Sequence, residues 1–226
     1  KRSGLENQLD KCLNYLSDPG YQIIASSCKA RLSLMDGNPS KAIQWAQPDE
    51  VDHDVGLMLW WIEIPRLTAS RIYIAEGSPV LITKALDKLK TYNQENIAIH
   101  NHYQRIEILA QMAICFFKLD RLTEAYKALE EAVILGEPSR WIWPFCHFGP
   151  PMTKMLEHLM EKNISPNYIR NILAQTAESH TPMDNKPLTP EGNDFMVHPL
   201  VPTGEKEVYL TLRETEIIKL LNEGLR

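Results

Sequence analysis

Two arginines and two glutamates stand where they could build a recognition surface. Arg31 and Arg71 lie 40 residues apart, and Glu63 and Glu107 follow them in the same order along the chain. If the segments that carry them are stacked helices, both arginines take equivalent places on one face, near Trp60, Glu63, Tyr103 and Glu107. Aromatic platforms beside paired charges suit a polar small molecule, such as a sugar or an amino-acid-like inducer. The same arginines could equally bridge neighbouring helices, and Trp60 and Trp61 could be core. A second set is the run Trp141-Ile142-Trp143-Pro144-Phe145, which either seals the last repeat or meets a partner. For catalysis or metal binding the material is thin. His100-x-His102 near Glu95, and Cys146-His147 with His158, have no orienting partner at a recognised spacing. The expectation is no enzyme, no catalytic residue and no metal site.

The composition narrows the class. At 226 residues the chain can bury a sizeable core. Its 44% hydrophobic and 23% charged residues are those of a globular protein. The net charge of −5 disfavours nucleic-acid binding by this chain alone, because phosphate neutralisation needs clustered Lys and Arg. No apolar run approaches the roughly 20 residues that cross a bilayer, and Lys1-Arg2-Ser3-Gly4 leads into no signal region, so no membrane partner is expected. Cys12, Cys28, Cys115 and Cys146 form no Cys-x-x-Cys pair and read as reduced core thiols of a cytoplasmic protein.

What must position the arginines is a repeated punctuation. Gly37-Asn38-Pro39 and Gly77-Ser78-Pro79 stand 40 residues apart. Glycine supplies the left-handed residue that ends one helix, Asn or Ser caps the next, and proline fits its first turn. A third turn falls at Asp120-Arg121-Leu122-Thr123, with Asp120 or Thr123 as cap. Aligned on these marks, Ala30, Ser70 and Ala113 share a column before the turn, and Ala42, Ile82 and Ala125 one after it. Small residues there let paired helices approach. Apolar residues upstream and downstream recur at helical spacing. The fold class expected is therefore all-α, a tetratricopeptide-like superhelix of helical hairpins (an α-solenoid) with a concave face over residues 1–178. Helices near Pro151 to Lys162 and after a Ser165 cap would extend it, as would an N-terminal helix with Leu5, Leu9 and Leu13. Five prolines mark 179–209 as a linker. Thr211-Leu212-Arg213-Glu214 is a capping box that opens a helix closed by Gly224.

That last stretch, Leu210-Thr211-Leu212-Arg213-Glu214 through Gly224-Leu225, resembles the opening helix of the LuxR-type helix-turn-helix domain. The pattern there is an apolar residue, Ser or Thr, any residue, Arg-Glu, then an apolar helix ending in Gly-Leu. Ala30-Arg31-Leu32 to Gly37, Trp61-Ile62-Glu63-Ile64-Pro65-Arg66-Leu67-Thr68 to Gly77, and Arg140 to Met152 are similar to the sensor repeats of the large ATP-binding regulators of that family, which include the maltose regulator. In the last of these, Cys146-His147 departs from the acidic residue usual there.

The resemblance implies a bacterial transcription activator. Residues 1–178 would sense a small-molecule inducer or a regulatory protein, and 210–226 would be the first helix of a DNA-binding domain truncated before its recognition helix. DNA binding, ATP binding in an N-terminal domain and self-association would then belong to the full-length protein. This chain has no Gly-x-x-x-x-Gly-Lys-Ser/Thr, so no cofactor is expected in it. The alternative is a tetratricopeptide-like scaffold that docks a protein without any small inducer.

Overall fold

Each glycine-proline mark ends one helix and begins another. α1 (Pro19–Met35) meets α2 (Pro39–Ala46) across Gly37, whose φ of +72° a side chain would strain. α3 (Pro65–Glu76) meets α4 (Pro79–Ala98) across Gly77 at φ +91°, and the Ser78 hydroxyl accepts from the Leu81 amide at 3.4 Å. Proline fills the first turn of α2, α3 and α4, where an amide needs no partner. The next turn, into α5 (His102–Lys118), was not signalled: His100 takes φ +55°, and the Asn101 side chain accepts from the Gln104 amide.

The turn into α6 (Leu122–Gly136) departs from expectation. Neither Asp120 nor Thr123 caps it. Asp120 itself takes the left-handed place of glycine at φ +58°, Arg121 is the residue at the cap, and its guanidinium pairs with Glu124 in the first turn. α7 (Pro150–Glu161) and α8 (Pro166–Ser179) complete the helices, and the Ser165 hydroxyl donates to Glu137 at 2.7 Å.

The structure, a computed structural model, describes residues 19–47, 63–179, 198–200 and 208–210, with side chains at 19–47 and 63–176. The helical part is all-α and built of hairpins. Consecutive helices pack together, and α1 meets α3, α3 meets α5 and α5 meets α7. The first helix of each pair thus lies on the first helix of the next. All six residues of the two aligned columns are buried: Ala30, Ser70 and Ala113 before the turns, Ala42, Ile82 and Ala125 after them. α5 is central and buries residues around most of its circumference, as a helix covered on several sides must. Two polar ties fasten neighbouring elements: the Tyr73 hydroxyl donates to the Ala46 carbonyl, and Lys118 Nζ donates to the Ile74 carbonyl at 2.9 Å, in the last turn of α3.

The chain divides into two compact units, 1–181 and 182–226. In the second, β1 (His198–Leu200), inside the stretch read as linker, pairs antiparallel with β2 (Val208–Leu210), His198 opposite Leu210, so Leu210, read as the first residue of the segment 210–226, ends a strand. Pro199 is tolerated because a two-stranded ladder leaves each strand a free edge. The expected N-terminal helix and the capping-box helix from Thr211 lie outside the described residues, as does Trp60. Among the described residues, no helix is long and apolar enough to cross a membrane.

Candidate functional site

Four segments converge on a cleft of about 140 Å³. α1 brings Arg31; the approach to α3 brings Glu63 and Ile64, and α3 itself Thr68 and Arg71. α5 brings Tyr103 and Glu107. The connection after α6 folds back through a 3-10 turn (Trp143–Phe145) and closes the far side with Trp141, Trp143, Pro144 and His147.

Glu63 is the best-supported group. Its side chain is 3% exposed, and it receives Arg31 Nη1 at 3.0 Å on one oxygen. On the other it receives the hydroxyls of Ser27, at 3.1 Å, and Thr68. A buried carboxylate needs such a set of donors to offset its lost hydration. One residue thereby ties α1 to the start of α3. One repeat further on the device recurs, with Arg71 Nη2 of α3 on Glu107 of α5 at 2.9 Å, and Gln111 Nε2 also donating to Glu107 at 3.3 Å. Here Arg71 is 91% buried at its side chain, with 9% exposed, and its Nε has no hydrogen-bond partner among the described residues.

The aromatic wall is built from both sides. Tyr103 stacks on Trp141 with ring centroids 3.7 Å apart and planes 15° from parallel. Trp143, 56% exposed, lies roughly parallel to His147 at 6.1 Å. What holds this connection is beneath it. The Tyr168 hydroxyl of α8 donates to the Trp141 carbonyl at 2.7 Å, and its ring makes a T-shaped contact with fully buried Phe145. Tyr168 also runs so close under α6 that a Cβ on Gly136 would come within 2.5 Å of its hydroxyl oxygen.

Charge at the cleft is uneven. Partial burial, and then the guanidinium charges of Arg71 and Arg31, push the His147 imidazole down to about 4. At neutral pH it is an uncharged ring with an exposed edge. Burial and the nearby Glu107 raise the Tyr103 phenol, so it too is neutral.

A titration prediction follows from His147. Its ring protons in an NMR pH series should titrate near 4 rather than at the ordinary 6.5. Between those values the unfolded chain takes up a proton that the folded ring refuses, so this residue makes stability fall as pH drops from 6.5 towards 4. His147→Gln should remove that part of the slope. A folded-state midpoint at 6 or above would mean that the ring is neither buried nor faced by the arginines in this way.

No family model, curated protein or solved structure matches the chain.

Of the six residues singled out in the sequence, the structure brings five together: Arg31, Glu63, Arg71, Tyr103 and Glu107. Trp60 lies outside the described residues. The arginines do both things considered for them, bridging successive helices and lining the cleft. The aromatic run likewise divides: Phe145 seals the core while Trp141 and Trp143 face the cleft. Sequence reasoning did not place Trp141, Trp143 and His147 in this site, although the density of rings from Trp141 to Phe148 was the available signal.

The other sets do not assemble. His100 and His102 flank the turn between α4 and α5, and Glu95 pairs with Arg66 at 2.9 Å. Cys146 Sγ donates to the Ile142 carbonyl, while His158 packs on Tyr126. Among the described residues, no three His, Cys, Asp or Glu side chains come together to hold a metal. Cys28, Cys115 and Cys146 are free thiols. Burial, with Glu63 adding to it, pushes Cys28 up to about 11; burial pushes Cys115 up to about 12 and raises Cys146. Thiols held protonated in this way are poor nucleophiles.

Proposed function

We propose that the helical-hairpin unit is a sensor that binds a small polar molecule in this cleft. The observation that carries the reading is convergence. Side chains from three successive first helices and from a distant aromatic connection meet around one hollow, where two ion pairs and stacked rings stand together. Ion pairs that served only to fasten helices would need no hollow beside them.

The wider setting rests on the resemblance of Leu210 to Leu225 to the LuxR-type opening helix. On it, the unit is the effector-sensing superhelix of a cytoplasmic bacterial transcription activator. The full-length regulator would bind ATP and self-associate, and would contact promoter DNA through a helix-turn-helix to which Leu210 to Leu225 would contribute the opening helix. The scaffold alternative finds one supporting observation, the exposure of Trp143 at the mouth.

Thermal-shift screening against a metabolite panel separates the two. A ligand at 100 times its Kd raises stability by about 2.7 kcal/mol, several degrees for a domain of this size. A shift that is lost in Tyr103→Ala supports the sensor. No shift with any small molecule, together with capture of a defined protein through Trp143, would establish the scaffold instead.

A further inference from the structure

The cleft's hydrogen-bonding capacity is not balanced. Glu63 is spent on building the wall, holding Ser27, Thr68 and Arg31 at once. Glu107 is drawn by Arg71 and Gln111. The guanidinium groups are not spent. Arg71 engages Glu107 through Nη2, yet its Nε is buried without a partner among the described residues. A buried donor left unpaired is costly, and it marks Arg71, which lines the cleft, as a cation whose hydrogen-bonding capacity Glu107 and the wall do not use up. Arg31 holds Glu63 through Nη1 while 37% of its side chain stays exposed. The same bias reaches the mouth, where the charges that act on the His147 ring are those of Arg71 and Arg31.

Shape adds a second constraint. The hollow of about 140 Å³ is close to the roughly 150 Å³ that admits one benzene ring. One side of it is aromatic, formed by Tyr103, Trp141 and Trp143. A flat ring meets such a wall with little loss of freedom, and an aromatic contact adds attraction beyond the area it buries.

We infer that the occupant is a small organic monoanion with a flat ring, its carboxylate received by Arg71 and Arg31 beside His147 and its ring laid against Trp141 and Trp143. The inference rests on the sensor reading and narrows it from any polar molecule to one chemical class. A guanidinium receives a carboxylate through two parallel N–H groups, a fit that neutral polyols do not offer.

The test uses the chain as it stands, with tryptophan fluorescence titration and thermal shift, and three probes: benzoate, benzamide and acetate. Benzoate is expected to bind with a Kd at or below about 1 mM. Benzamide lacks the charge and acetate lacks the ring, so each should bind at least about tenfold more weakly, the worth of one charge-assisted pairing or one buried ring. His147 is exposed at the mouth, and circular dichroism shows whether a variant there is folded before its binding is read. His147→Glu sets a carboxylate at the mouth and should weaken benzoate about tenfold or more while changing the binding of uncharged benzamide far less. Equal binding of benzoate and benzamide, or indifference to His147→Glu, overturns the anion assignment and leaves the sensor standing. A shift with neutral sugars but none with benzoate does the same. Failure of every probe and of the wider metabolite panel removes both.

Discussion

Glu63→Ala is expected to cost the helical unit about 3 kcal/mol, measured by urea unfolding followed by circular dichroism. Breaking a buried ion pair from one side runs to about 3–5 kcal/mol, because the remaining charge is left uncompensated. Here Arg31 can turn its exposed portion to water, which lowers that cost. The two hydroxyls cannot: Ser27 and Thr68 are buried, and each loses its acceptor, at about 1–3 kcal/mol for a stranded group. Glu63→Gln keeps one carbonyl oxygen for the hydroxyls and should lose less than half as much. A loss below about 1 kcal/mol in the alanine variant would show that the carboxylate does not join α1 to α3. Arg71 and Glu107 form the corresponding joint one repeat later, so the second joint should survive the loss of the first.

The pairing of these joints was partly legible in the chain. Helix ends were written in backbone chemistry: Gly37 and Gly77 can adopt positive φ and the prolines after them can only begin a helix, so the two turns and the columns aligned on them could be read directly. Asp120 does glycine's work without being glycine, and so the third turn was placed correctly but capped wrongly. Equivalent arginines told where charge would face. They did not tell which glutamate each would take, because Glu63 stands 32 residues from Arg31, and no local period encodes a contact over that distance. The aromatic wall was harder still. Trp141 stacks on Tyr103 while Tyr168, 27 residues later, holds its carbonyl, and neither Trp141 nor Tyr168 falls in the columns aligned on the turns. Three-residue strands such as β1 and β2 are too short to show an alternating pattern at all.

The second large effect is expected at Phe145. Phe145→Ala removes a ring with no exposed surface and should cost about 3–5 kcal/mol, the range for emptying a buried aromatic position. Its particular consequence is at the cleft. The 3-10 turn that carries Phe145 is anchored by that ring, T-shaped on Tyr168, and Tyr168 in turn holds the backbone of Trp141. With the anchor gone, Trp141 loses its support and the stack on Tyr103 should loosen, so the variant should bind the benzoate probe less tightly even under conditions where it is fully folded. Tyr168→Phe separates the two contributions. It keeps the ring packing and deletes one hydrogen bond, for about 0.5–1.5 kcal/mol, yet it frees the same carbonyl. If probe binding falls in Tyr168→Phe while stability barely moves, the connection positions the aromatic wall. If binding is unchanged in both variants, Trp141 is held by Tyr103 alone and the buried anchor serves only the core.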